Sequence, residues 1–497
     1  MKRREFIGTG IAALAGCTLG VRSSQASRHS STSPYNVLFV HTDQWRAQAM
    51  GYRNEDPVFT PYLDAFQQDS ITFDRAVACS PVCSPNRACW FTGRYPQNHA
   101  VYRNNLAHVQ PDQLLSRQFK ANGFRNGYIG KWHLNGPDSH SKWNGITPEF
   151  LRSDYEYWTS AIHNHAHFNL RFEENGEVVN YGDGWQPEHI TGKAIEFLEQ
   201  QDNRPFNLVV SYSPPHNGSY HEKFCPEKRY TPGNEDHKES GYVYYAPQEF
   251  EALYKDLDPL TIRSNIKTEG FGDQFGGAVK GYLGACTAVD DSFGRLIRYL
   301  KQSGLYENTI IVFTSDHGEM LGSHNLMTKG VPFEESLRVP LLIRIPGAKP
   351  YVDERLFNSV DLMPTLMGLT GQAIPSAVDG KDFSKSIGPD KQQLMDPELA
   401  FIGFAGWRGF RTKRYTYVSG ARNDGGLSFR ERNYLRDKRP EAALNHMLFD
   451  LENDPFQMEP ILKGDGGATD ALIDDFQHEL IAQLTPLGEN HLVPQSL

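Results

Sequence analysis

Apolar and polar positions divide this chain into two kinds of segment. Short runs with almost no polar interruption, at 35–40, 205–212, 309–313 and 341–345, fit strands buried on both faces, as in a parallel sheet. A shorter apolar step lies at Tyr128-Ile129. Between them, apolar residues that recur every three to four positions predict helices over 112–122, 189–200 and 281–301, and 359–366 reads as another. This alternation runs from Asn36 to about Asp382 and predicts an α/β body. Beyond it the pattern changes. Residues 401–404, 415–418 and 447–451 are short strand candidates, and 470–484 predicts a helix. The chain shows no internal repeat.

The amino terminus has its own pattern. Lys2-Arg3-Arg4 precedes an apolar stretch that ends by Leu19, too short for a permanent transmembrane helix and suited to a signal peptide. The paired arginines resemble a twin-arginine export signal. Leu14-Ala15-Gly16-Cys17 resembles a bacterial lipobox, which implies a lipidated Cys17 and membrane attachment; ordinary cleavage that discards Cys17 is the other reading. Serine-rich residues 21–34 read as a flexible tether. The expected organisation is an export signal over 1–17, a tether over 18–34, a catalytic domain over 35–385 and a C-terminal subdomain over 386–497. The expected location is periplasmic or on a bacterial cell surface.

Composition narrows the function. With 60 acidic and 50 basic residues in 497, the net charge of −10 argues against nucleic acid as a partner. Six cysteines are too few for a disulfide framework in a chain of this length. Cys79, Cys83 and Cys89 lie close together, and spacing does not decide whether Cys79 or Cys89 forms a bridge.

Candidate chemistry sits at the strand ends. The 35–40 strand runs into Asp43-Gln44, and the 309–313 strand runs into Asp316-His317. In an α/β sheet such ends converge on a ligand site, and two oxygen donors from one strand with an acid from another suit a hard divalent cation. Cys83-Ser84-Pro85-Asn86-Arg87, followed by Thr92-Gly93-Arg94, adds a nucleophile-type residue and a cation one helical turn apart.

With these blocks the chain resembles a type I sulfatase of the alkaline-phosphatase-like superfamily, on the iduronate-2-sulfatase-like and bacterial polysaccharide sulfatase side. The resemblance implies an α/β/α sandwich around a large mixed sheet, with a smaller C-terminal subdomain containing an antiparallel sheet. It also implies that Cys83 of the C-x-P-x-R motif is oxidised by a formylglycine-generating maturation enzyme to formylglycine, whose hydrate is the nucleophile. Asn86 stands where that family usually has serine or alanine. By the same resemblance Asp43, Gln44, Asp316 and His317 are the ligands of one divalent cation, Ca2+ rather than Mg2+, and Asp316 accepts the nucleophile's proton. Arg87 holds the hydrated aldehyde, Lys131 and Lys329 contact the sulfate, His133 accepts a proton as formylglycine is regenerated, and His216 protonates the departing alcohol.

Loops around this pocket hold the substrate-rim candidates His99, Asn104, His165, His324, Trp407 and Arg408, with a structural role as the competing reading for each. His163-Asn164-His165-Ala166-His167 fits a sugar-binding wall, an exposed hairpin, or a second metal site lacking a fourth ligand. Trp185, Tyr220 and His221 are further candidates for carbohydrate contacts. The expected substrate is an O-sulfate on a carbohydrate or polysaccharide fragment. A phosphoester or phosphonate hydrolase of the same superfamily, and a non-catalytic cell-surface glycan-binding protein, are the alternatives.

Overall fold

The computed structural model describes residues 35–108, 110–136, 146–162, 165–200, 202–218, 221, 223–225, 243–266, 275–389, 395–420, 446–461 and 468–489. The 1–17 signal, the 18–34 tether, Cys17, His163 and Tyr220 lie outside them. Among the described residues no helix is long and apolar enough to cross a membrane.

Ten strands form one sheet: β1 (Asn36–Asp43), β2 (Ile71–Val77), β3 (Arg125–Gly130), β4 (Tyr157–Ala161), β5 (Asn169–Glu174), β6 (Glu177–Asp183), β7 (Phe206–Pro215), β8 (Thr309–Ser315), β9 (Leu341–Arg344) and β10 (Tyr351–Asn358). Their order is β10-β2-β9-β8-β1-β7-β3-β4-β5-β6. The centre, β8-β1-β7-β3-β4, is parallel, whereas β9 runs antiparallel to β8 and β2, and β5 and β6 continue the other side antiparallel. Every residue of β1, β7 and β8 is buried, which is why these strands carry few polar residues until their carboxyl ends.

Two apolar layers cover the sheet. On one face the long helix Phe275–Gln302 and the helix Gln186–Glu199 pack on Leu38, Val40, Leu208 and Phe313. On the other, Trp90, Phe91, Leu362 and Met363 pack on Phe39, Val209 and Val312. The sheet between two helical layers is the α/β/α sandwich expected from the sequence. The 281–301 helix begins earlier, at Phe275. The 112–122 segment is instead a 3-10 turn, Pro111–Gln113, and a helix, Leu115–Ala121, separated by Leu114 in an extended conformation.

The C-terminal region forms a four-stranded antiparallel sheet of β11 (Leu399–Phe404), β12 (Trp407–Thr412), β13 (Tyr415–Gly420) and β14 (His446–Asp450). The helix Ala468–Leu484 packs Ile473 and Leu480 with Phe401, Phe410 and Tyr417. Strand β12 was not among the predicted strands; it places Trp407, Arg408 and Arg411 in the ladder rather than between strands.

Candidate active site

The site lies at the carboxyl ends of β1 and β8, beside the fully buried helix Cys83–Thr92. Val82 is extended, so the helix starts sharply at Cys83, and Pro85 falls in the first turn, where its missing N–H costs nothing. Asn104 Oδ1 accepts the Ser84 N–H at 3.0 Å, satisfying one of the helix's free donors. Gly93, at φ +64°, closes the far end with its N–H on Cys89 O. The consequence is a fixed Cys83 at a helix N-terminus, where the dipole favours negative charge.

Asp43, Cys83, Asp316 and His317 form a buried cluster whose potential ligand atoms all lie within 4.8 Å of one another. Cys83 Sγ is 3.3 Å from His317 Nε2 and 3.6 Å from Asp43 Oδ1. His317 Nδ1 faces Gly318 O at 2.9 Å and so carries a proton, while Nε2 faces the two carboxylates, each 3.5 Å away; burial lowers the ring's pKa, but Asp316 and Cys83 outweigh it and raise it. Gly318 is required here, because a Cβ would sit 1.9 Å from Glu335 O. Gln44 Nε2 donates to Glu319 and to Tyr244 Oη, which fixes Oε1 toward Lys329 Nζ. Two carboxylates, an amide oxygen and an available imidazole nitrogen fit a divalent cation.

Cations surround the cluster. Arg87 Nε donates to Asp316 Oδ2 at 2.9 Å and Nη2 to Asp43 Oδ2 at 3.2 Å, while Nη1 donates to Lys131 O and Ser211 Oγ. Arg87 thus grips the two acids, and its recorded bonds do not reach the Cys83 sulfur. Lys131 Nζ bonds Asp43 and lies 3.8 Å from Cys83 Sγ. Its approach depends on Gly130, whose φ of +108° turns β3 into the site and whose Cβ would meet Ser211 O at 2.0 Å.

These contacts set the charges. Burial and Asp43 push the Cys83 thiol up, but Lys131, Lys329 and His317 outweigh them and bring it to about 6. Burial also raises Asp43, yet Lys131, the nearby histidines and Arg87 hold it below the ordinary carboxylate range. Asp316 is pushed up to about 6 by burial and the Asp43 charge, against His317 and Arg87. Two carboxylates so close cannot both ionise cheaply without added positive charge, the condition a divalent cation relieves.

His216 follows β7, with Nδ1 2.7 Å from Asn217 O and Nε2 against Lys329 Nζ. Its ring stacks on His165, with centroids 3.9 Å apart. Burial, His165 and Lys329 depress its pKa well below the usual value, so it is neutral in this arrangement. His133 takes φ +60°, and its carbonyl accepts Ser84 Oγ at 2.7 Å.

The rim candidates separate. His165 joins the cluster through His216, and Asn104 joins it through Ser84. His99 is buried with Nε2 on Cys89 Sγ and Nδ1 accepting Val101 N–H. His324 stacks on Phe333, Trp407 Nε1 donates to Gly330 O at 3.3 Å, and Arg408 pairs with Glu489. His167 is buried beside Trp185. Cys79, Cys83, Cys89 and Cys286 are free thiols.

Glu319 escaped the sequence reading. Beyond holding Gln44, its Oε1 accepts the Leu321 and Thr328 N–H groups and so shapes the loop that returns Lys329. Its place three residues after Asp316 was the available signal. Ser211 and Tyr244 were likewise missed, since nothing local marks them.

Residues 35–372 match the family model described as Sulfatase, and 322–485 match N-sulphoglucosamine sulphohydrolase, C-terminal. A protein of Formosa agariphila described as an ulvan-active sulfatase is 32% identical over 445 residues, 86% of this chain and 77% of that protein. An endo-4-O-sulfatase of Bacteroides thetaiotaomicron is 28% identical over 91% of each chain. A solved structure from work on glycosaminoglycan metabolism by Bacteroides thetaiotaomicron superposes with a TM-score of 0.78 at 26% identity, covering 92% of this chain and 97% of that one.

Proposed function

The chain belongs to the formylglycine-dependent sulfatase family, and from that premise we propose that it removes an O-sulfate from a polysaccharide fragment. Sulfate-ester hydrolysis is the family chemistry that the Cys83 cluster serves. The carbohydrate class is supported by the similarity to an ulvan-active sulfatase and an endo-4-O-sulfatase. The observation that carries the reading is the buried Asp43, Cys83, Asp316 and His317 group with Lys131, Lys329 and Arg87 around it.

Asp43, Gln44, Asp316 and His317 would hold the divalent cation, which we take to be Ca2+. When bound it neutralises sulfate oxygens, and the formylglycine derived from Cys83 supplies the oxygen nucleophile. Lys131 and Lys329 place two ammonium groups where a sulfate would add negative charge, and their effect grows in a site closed to water. Asp316 is the proton acceptor beside Cys83. The Lys329 ammonium donates to His216 Nε2, so this pair carries the proton for the leaving alcohol. His133 serves the regeneration of formylglycine. Arg87 orients Asp43 and Asp316 and, from the same helix as Cys83, holds the hydrated aldehyde.

His165 continues this wall toward the leaving group, and Asn104 acts by fixing Ser84. Trp407 supports the Lys329 loop through Gly330, and Arg408, His99 and His324 support the surrounding fold. We further place a catalytic domain over 35–385 and a C-terminal subdomain over 386–497. Export through 1–17, the 18–34 tether, attachment through Cys17, and maturation by a formylglycine-generating enzyme complete the proposal.

The test has two arms. Mass spectrometry of the Cys83 peptide from the native host is expected to show the aldehyde or its hydrate, and unmodified cysteine would overturn the nucleophile. Sulfate release from O-sulfated oligosaccharides is expected to exceed phosphate release from matching phosphate esters, to stop with a chelator and to return with Ca2+. Faster phosphate release would overturn the sulfatase reading.

A further inference from the structure

We propose a second carbohydrate site, separate from the Cys83 pocket, that grips an anionic sugar of the polymer while another sulfate is presented for cleavage. The inference rests on the polysaccharide reading above. The site is a cleft of about 760 Å³ between β2, the 261–264 segment and the C-terminal sheet. None of its lining residues belongs to the cluster around Cys83. Its volume suits a short saccharide segment.

Three features of the lining match that ligand. Gln48 is 1% exposed, lines the cleft, and has an Oε1 with no hydrogen-bond partner among the described residues. It is an acceptor for a sugar hydroxyl, and leaving such an atom unpaired is costly. Phe456 supplies an aromatic ring, half-buried and oriented by the Arg263 guanidinium 5.1 Å from its centroid. The apolar face of a pyranose packs on such a ring.

The third feature is exchangeable positive charge. Six cations and four carboxylates line the cleft in a chain of net charge −10. The inner cations are committed: Arg338 to Asp74, and Arg411 to Glu334 through two bonds of 2.9 Å. The outer ones are not equally committed. Lys413 pairs with Asp396 where both side chains are about half exposed, and Arg75, 23% exposed and donating to Glu354 O, lies 3.5 Å from the mostly exposed Glu354 carboxylate. Carboxylates as exposed as Asp396 and Glu354 hold their partners weakly, so a sulfate or carboxylate on a sugar displaces them at little cost. An acceptor at depth, a ring on the wall and replaceable cations at the rim describe an anionic saccharide better than a neutral one.

Such a site raises the effective concentration of polymer-borne sulfate at the catalytic pocket. Affinity electrophoresis of the full chain through gels containing dextran sulfate, hyaluronan or plain dextran tests it without requiring turnover. Retardation by dextran sulfate or hyaluronan beyond that by dextran is expected, and the responsive gel tells sulfate from carboxylate recognition. The variant Arg75→Ala/Lys413→Ala/Phe456→Ala should weaken retardation by about fivefold or more. Exposed cations elsewhere, removed as Lys120→Ala/Arg295→Ala, should leave it in place. Lys413→Gln alone, at an exposed turn, should give a smaller loss in the same direction if the triple variant is poorly folded.

Retardation equal in all three gels, or equally lost in the Lys120/Arg295 control, overturns the assignment, as does full retention by both cleft variants. Failure of the sulfatase reading would appear separately, as absent sulfate release from every ester while the gel result stands.

Discussion

Two groups of charges in this molecule are built on opposite principles. At the ends of β1 and β8, Asp43, Asp316, Arg87 and Lys131 are wholly buried, and Asp43 is shared by two cations while it crowds a second carboxylate. In and around the C-terminal sheet each cation meets carboxylates that serve no second cation of the site: Arg411 ties the sheet to Glu334, while Arg408 with Glu489 and Arg414 with Asp450 and Glu452 pair within the C-terminal region. The second arrangement fastens. The first leaves Asp43 held down, Asp316 raised to about 6, and the Cys83 position surrounded by positive charge. Burying so many charges costs stability, which a site for an anion and a cation requires and a fastening does not.

The sharpest break in this contrast is Cys83→Ala. Sulfate release should fall by about 10⁴-fold or more, while the circular dichroism spectrum remains that of the parent. Near-normal turnover would remove the cluster's chemical purpose.

Arg87→Met strips two carboxylates of their shared partner, and urea unfolding should show a loss of about 3–5 kcal/mol. A loss below about 1 kcal/mol would mean that a carboxylate takes up a proton instead, with Asp316 the one already near that state.

On the fastening side, Arg411→Ala leaves Glu334 without its bidentate partner and should cost about 2 kcal/mol in the same measurement. Activity on small esters should stay within about an order of magnitude of the parent, because neither Arg411 nor Glu334 belongs to the cluster around Cys83. A larger fall in rate than in stability would show that the two charge groups are coupled.

Asp74 gives the smallest effect and a pH signature. Burial raises its carboxyl, but Arg338 and Arg53 outweigh it and hold the pKa at about 2. A depressed folded value stabilises the fold fully above the unfolded pKa near 4, and the gain is lost as pH falls toward 2. After allowing for its partial exposure, Asp74→Asn should cost about 1–2 kcal/mol at pH 7 and almost nothing at pH 2. Equal losses at both pH values would mean that hydrogen bonding alone, not charge, holds this corner.

Legibility differed by region for related reasons. Strands β1, β7 and β8 were readable because burial on both faces demands an unbroken apolar run. Strand β10 was not, since its edge position permits Asp353-Glu354-Arg355 in its middle, where the register with β2 shifts. Strand β12 was hidden because Arg408 and Arg411 look like loop residues until Glu489 and Glu334 are brought to them. Within the site, the nucleophile, cation and ligand residue types could be read from short motifs, whereas Glu319 and Ser211 carry no motif of their own.

The sequence by itself determined the alternation of elements, the spacing of Cys83 and Arg87, and the acids that end two central strands, because periodicity and motif spacing act over a few residues. Only the tertiary structure decided that Arg87 grips both Asp43 and Asp316, that Asn104 caps the Cys83 helix, and that His216 meets both His165 and Lys329. Arg87 and Asp316 are 229 positions apart, and their contact exists only because the fold sets the Cys83–Thr92 helix beside the end of β8. Coulombic partners are chosen by distance in space, which local sequence pattern does not encode.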